Sequence, residues 1–141
     1  MGAEEGRMSG NEHTLVFRRL IEEGFNGGRL SVLDELLTAD FVDHSPCRKL
    51  CGAGDLRERI ALLRIALPDL HACVNQLAAA DNMTWAAVTI RGTARGVPGL
   101  PASDQCLGFS RVETCRYVNG RIAEYWSETA DLLEQLGITV P

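Results

Sequence analysis

A single lysine, Lys49, stands in 141 residues, and no run of arginines makes up for it. With a formal charge of −5 and a pI near 5.2, the chain lacks the basic patch that nucleic acid or an anionic membrane surface requires. No stretch approaches the roughly 20 apolar residues of a membrane span. The opening residues, Met1 to Gly6, have neither the basic start nor the apolar middle of a signal peptide, so a cytoplasmic protein is expected. Histidine is scarce: His13, His44 and His71 form no cluster with Cys47-x3-Cys51, and neither metal nor cofactor is expected. The five cysteines are odd in number and scattered among apolar neighbours, which suits reduced, buried thiols better than a disulfide framework. There is no Gly-x-Ser-x-Gly elbow. The glycines at Gly92 and Gly96 lack the lysine and the strand-to-helix context of a phosphate loop.

What is present fits one domain, long enough to bury about two thirds of the surface of its unfolded form. Residues 1–10 read as a disordered leader and 11–141 as the domain. Phe17, Leu20, Ile21 and Phe25 fall at helical spacing up to Asn26-Gly27-Gly28. Leu30, Leu33, Leu36 and Leu37 mark a second helix, and Asp40 to His44 a short extended segment. Leu56, Ile60, Leu63 and Leu67 mark a third helix, ended by Pro68. Beyond it the chain is mainly β: a hairpin of 71–79 and 83–93, a loop at 95–104 forbidden regular structure by prolines and glycines, a second hairpin, and a terminal helix. The order predicts an α+β fold, a curved, mostly antiparallel sheet packed against three N-terminal helices. His13 is expected at the surface.

The second hairpin carries most of the functional signal. Asn119-Gly120 between alternating runs marks a type I′ turn, because both residues tolerate positive φ. Strict pairing from that turn sets Tyr117 opposite Ile122, Cys115 opposite Glu124, Glu113 opposite Trp126 and Arg111 opposite Glu128. One face then carries Arg111, Glu113, Cys115, Tyr117, Ile122, Glu124, Trp126 and Glu128, with Tyr125 on the other. Aromatics, acids and an arginine together suit the wall of a partly polar pocket. They equally suit a solvated face whose charges pair with one another.

Seven segments in order resemble the SnoaL-like polyketide (ester) cyclases of the NTF2-like superfamily. They are Asn26-Gly27-Gly28 with Leu33 to Leu37, Asp40 to His44, Leu67 to Leu70, Gly92 to Gly96, Gly99 to Pro101, Asn119 to Trp126, and Gln135 to Gly137. The resemblance implies a cystatin-like cone and a small, cofactor-free enzyme or binding protein, often a homodimer through its sheet. It also implies a pocket acid that removes an activated proton from a small hydrophobic carbonyl compound, after which an aldol closure follows.

The family's acid stands four residues after the tryptophan, where this chain has Ala130. Glu128 is the first replacement, with Asp131 in reserve. Asp131 also suits a helix N-terminus, where an acid meets free N–H groups, and Arg111 opposite Glu128 would hold it ionised. His44 is a further catalytic candidate. Arg111 and Glu113 are expected as polar contacts, and Phe41, Trp85, Tyr117 and Trp126 as the apolar wall. Ala94 replaces the histidine that many relatives carry. Cyclisation, isomerisation, hydration and hydroxylation stay open, as does a non-catalytic module that binds a small ligand or dimerises.

Overall fold

A computed structural model describes residues 10–44, 49–94 and 106–127. The first helix, α1 (Gly10–Arg19), continues as a π-helix over Leu20–Asn26. Its end is tied down twice. Arg64 Nη1 donates to the Phe25 carbonyl at 2.7 Å, and the Asn26 side chain pairs with both backbone groups of Ala72, taking the place of a neighbouring strand. A 3₁₀ turn (Leu30–Val32) and α2 (Leu33–Leu36) follow, then β1 (Leu37–Asp43), so Leu37 begins a strand and not the end of a helix. The two-residue β2 (Leu50–Cys51) was not anticipated. It leads into α3 (Gly52–Ala66), after which come β3 (His71–Ala80), β4 (Met83–Thr93), β5 (Cys106–Val118) and β6 (Arg121–Ser127).

The six strands form one curved, open sheet in the order β2-β1-β6-β5-β4-β3. Every pairing is antiparallel except β1 with β6, so the expected α+β cone with three helices over a mostly antiparallel sheet is the observed architecture. The turn at Asn119 (φ 52°) and Gly120 (φ 79°) is the one that the sequence predicts. The expected loop at 95–104, the terminal helix and the leader lie outside the described residues, apart from Gly10, which opens α1.

Alternation on the strands sorts the core. Thr84, Ala86, Val88 and Ile90 of β4, with Glu113, Cys115 and Tyr117 of β5, point inward and are buried under Phe17, Leu20, Ile21, Ile60 and Leu63 of the helices. Gly92 belongs to this layer for a steric reason. A Cβ there would sit 2.9 Å from Leu67 Cβ, so only glycine lets α3's end lie against β4. Asp69, in the turn after Pro68, accepts from the backbone N and the hydroxyl of Thr93, both at 2.7 Å, and closes that corner.

Two expectations on burial are corrected. His13 is not at the surface: it is 2 % exposed and stacks on Tyr117, with ring centroids 4.4 Å apart. Its position i−4 from Phe17 places it on α1's sheet-facing side. Burial lowers the imidazole's pKa, against a smaller opposing effect from Glu12. Among the described cysteines only Cys115 is buried; Cys51, Cys73 and Cys106 are free and exposed, the last two on outward positions of strands that the helices do not cover.

Candidate active site

One extra residue in β6 decides which side chains meet. The hairpin begins as expected, with Val118 opposite Arg121 and Tyr117 opposite Ile122, but a β-bulge follows. Glu124 then pairs with Arg116, Tyr125 with Cys115, Trp126 with Thr114 and Ser127 with Glu113, so Ala123 is the unpaired residue. A one-residue slip exchanges the two faces of a strand. Tyr125 and Ser127 therefore turn inward beside Glu113 and Cys115, whereas Glu124 and Trp126 turn outward. The expected register, and with it the placing of Tyr125 opposite to Tyr117, is corrected. The signal was in the strand itself. Ile122 and Tyr125 are both large and apolar at an odd separation, which strict alternation cannot bury on one side.

The strand next to β6 is irregular at the same level. Leu37 pairs with Ile122 and Val42 with Glu124, so β1 takes five steps where β6 takes two. Regular parallel pairing then resumes with Asp43 beside Tyr125. These two residues are register partners on adjacent strands, and both face the space between sheet and helices.

That space is a hollow lined by Leu20, Phe25, Phe41, Leu56 and Leu63 on its apolar side and by Asp43, Arg59, Arg111, Tyr125 and Ser127 on its polar side. About 30 Å³ is open to the centre of a water, room for roughly two waters. It is a mostly apolar cleft with a few convergent polar groups, which is the general form of a small-molecule site. Asp43 is 6 % and Arg59 8 % exposed. Beneath the lining, Glu113 is fully buried, and its Oε2 accepts from Arg111 Nε at 2.8 Å. Glu113 Oε1 has no hydrogen-bond partner among the described residues. Arg111 Nη2 donates to the Tyr125 hydroxyl at 3.3 Å. Burial pushes the Tyr125 phenol's pKa well up, with Arg111 opposing and the Glu113 and Asp43 charges adding, so the hydroxyl keeps its proton.

Of the residues expected to form the site, Phe41 and Arg111 line the hollow and Glu113 supports Arg111 from below. Tyr117 shares their face but lies farther along the core, its hydroxyl 2.9 Å from Thr84 Oγ1. His44 and Trp126 lie on the other side of the sheet, stacked with centroids 5.0 Å apart. His44 Nε2 is 3.0 Å from Glu124 Oε1, while Arg116 Nε binds the second carboxylate oxygen. Arg116 first, and then His44, hold the Glu124 carboxyl below its ordinary pKa. Trp85 is 41 % exposed on the outer face, in a shallow groove with Gln76, Ala78, Ala87 and Val112. Glu128 and Asp131 lie outside the described residues.

Sequence reasoning missed Asp43, Arg59, Tyr125 and Ser127. Asp43 was legible, since it shares the parity of Phe41. So was Arg59, which interrupts the apolar stripe of Leu56, Ile60 and Leu63 on α3. Tyr125 and Ser127 followed only from the bulge.

No helix among the described residues is long and apolar enough to cross a membrane, and no group of three or more metal-ligating side chains occurs among them.

Among solved structures, AclR of Streptomyces galilaeus, for which a hydroxylase role is proposed, superposes with a TM-score of 0.77 at 22 % identity, over 94 % of this chain and 89 % of that one. IdmH of Streptomyces antibioticus, for which a polyketide cyclase role is proposed, gives 0.74 at 24 %, over 89 % and 99 %. A Catenulispora acidiphila protein described as having a ketosteroid isomerase-like fold gives 0.69 at 15 %, over 89 % and 97 %. These likenesses establish the fold. No curated protein sequence matches the chain. The profile described as SnoaL-like polyketide cyclase matches residues 15–136, nearly the whole domain, and supports a cyclase-type role. The chain belongs to the SnoaL-like polyketide cyclase family.

Proposed function

We propose that this protein is a cofactor-independent, cyclase-type enzyme that removes an activated proton from a small, largely apolar carbonyl compound, with Asp43 as the base. The observation that carries the reading is the Asp43 carboxylate, buried on the polar side of a mostly apolar hollow that two guanidinium groups and a phenol also line. A proton between two carbonyls is acidic enough for one carboxylate, provided that water is excluded and the enolate is stabilised. The hollow's small volume means that a ring-sized substrate enters only as the long Arg59 side chain swings aside, Arg111 being held by Glu113. Glu128 and Asp131 are the alternatives that the family resemblance supplies. His44, across the sheet, is not part of this reading.

The test follows deuterium uptake at the central carbon of pentane-2,4-dione in D2O by NMR, with wild type, Asp43→Asn, Glu128→Gln, Asp131→Asn and His44→Gln. Asp43→Asn is expected to bring exchange to the buffer rate, and His44→Gln to leave it unchanged. Loss confined to Glu128→Gln or Asp131→Asn would remove Asp43 from the role.

A second reading, a non-catalytic module, is favoured by the outer groove of Trp85, Ala78, Ala87 and Val112, an exposed apolar face suited to self-association through the sheet. Wild-type exchange at the buffer rate, with a dimer in solution, would select it.

A further inference from the structure

We propose that Tyr125 is a second catalytic residue, a hydrogen-bond donor to the enolate oxygen, and that Glu113 is a positioning residue that aims Arg111 at it. The inference deepens the proposed function and rests on it.

The phenol has one hydrogen-bond partner among the described residues, and there it accepts: Arg111 Nη2 donates to its oxygen at 3.3 Å. A hydroxyl whose oxygen faces a guanidinium turns its own proton away from the cation. Tyr125 borders the hollow, so that proton is available to a ligand. Accepting from a cation also makes the hydroxyl a better donor, because the two bonds polarise one another. Burial keeps the phenol neutral, so there is a proton to give.

Orientation comes from below. A free arginine stem has many rotamers, but Glu113 Oε2 holds Arg111 Nε at 2.8 Å and is itself fully buried on β5, two residues away on the same face. A carboxylate fixed inside the core is a costly anchor. Its effect here is to leave the guanidinium's outer nitrogen directed at β6. Asp43 and Tyr125, as register partners, put an acceptor and a donor side by side on one wall.

The step balances without a further reactant. The C–H bond between the carbonyls breaks and its proton passes to the Asp43 carboxylate. The released pair forms the C=C bond while the carbonyl π pair moves onto oxygen, where the Tyr125 O–H and the Arg111 charge meet it. Return of the proton at another carbon gives isomerisation. Attack of the enolate carbon on a second carbonyl of the same molecule moves that carbonyl's π pair onto its oxygen, which takes the proton back from Asp43 and completes ring closure.

The experiment uses the full chain, pentane-2,4-dione and two readouts: the deuterium exchange rate and the ultraviolet absorbance of the bound enolate at fixed pH. Tyr125→Phe keeps the ring and is expected to lower exchange on the order of 100-fold, the effect of removing one oxyanion donor. It is also expected to lower the enolate fraction of the bound dione by on the order of tenfold, with the melting temperature little changed. Glu113→Gln is expected to lower both readouts partly, and Glu113→Asp to restore some of each. Exchange and enolate fraction within twofold of wild type for Tyr125→Phe, while Asp43→Asn abolishes exchange, would overturn this inference and leave the proposed function standing. A wild-type protein that neither binds the dione nor exchanges its proton would overturn both.

Discussion

Arg111→Met removes the only hydrogen-bond donor that Glu113 has among the described residues. The carboxylate is fully buried, one of its oxygens already lacks a partner among the described residues, and the other would lose a charge-assisted bond of 2.8 Å. Breaking one side of such a pair typically costs about 3–5 kcal/mol, because a desolvated charge is left behind. Methionine keeps most of the arginine stem, so lost packing adds no more than about 1.5 kcal/mol. Against a total stability of about 5–15 kcal/mol for a domain of this kind, the loss is large. At roughly 2–4 °C per kcal/mol, the melting temperature should fall by about 6–26 °C. The double variant Arg111→Met/Glu113→Leu removes both charges, and for buried pairs that exchange is often neutral or stabilising. Urea denaturation of wild type, both single variants and the double variant closes the thermodynamic cycle. A cost below about 1 kcal/mol for Arg111→Met, with additive single effects, would refute the reasoning. It would mean that water in the hollow solvates Glu113 and that the arginine does not hold it.

His13 should weaken the fold in acid. Its pKa is lowered in the folded state by burial, so the unfolded chain binds the proton more readily; the stability is fully present above the ordinary value of 6.5 and declines as pH falls through it. His13→Phe, which keeps a ring against Tyr117, should flatten the fall in denaturation midpoint between pH 7 and pH 5; an unchanged slope would remove His13 as the cause. The Cys115 thiol is buried and its pKa is raised by burial and by Glu113. A disulfide reagent should therefore label Cys51, Cys73 and Cys106 quickly and Cys115 only at the rate of unfolding, as mass spectrometry of timed samples would show. Trp85→Glu should leave the melting temperature within a few degrees and dissociate any dimer held by the outer face, read by light scattering after size exclusion.

Much of the fold was legible because its signals are local. The Asn119-Gly120 turn, the stripes Phe17/Leu20/Ile21 and Leu56/Ile60/Leu63, and the stop at Pro68 each act within a few residues, and each element lies where those signals place it. Leu37 was misread because an apolar residue at helical spacing is equally good as the first residue of a buried strand, and only pairing with Ile122 decides. The two-residue β2 carries no periodicity at all. The candidate site was less legible. Arg111, Glu113 and Phe41 could be found from strand parity alone, whereas Tyr125 and Ser127 depend on a break in parity at Ala123, where β1 and β5 both lose register. His13 was misplaced because histidine is usually polar surface, and the ring that covers it, Tyr117, is about a hundred residues away in the chain.

The bulge at Ala123 makes the interior's chemistry depend on a count and not on a side chain. Were Ala123 to pair with Arg116 in a regular ladder, every residue after it would stand one place out of step, offering Glu124 and Trp126 to the hollow and sending the phenol to the other face. The presence or absence of the bulge alone thus decides between a neutral donor and an indole with a carboxylate, with every residue the same. Forming or losing a bulge in this strand is thus a route by which one scaffold can acquire different reactivity without mutating its wall.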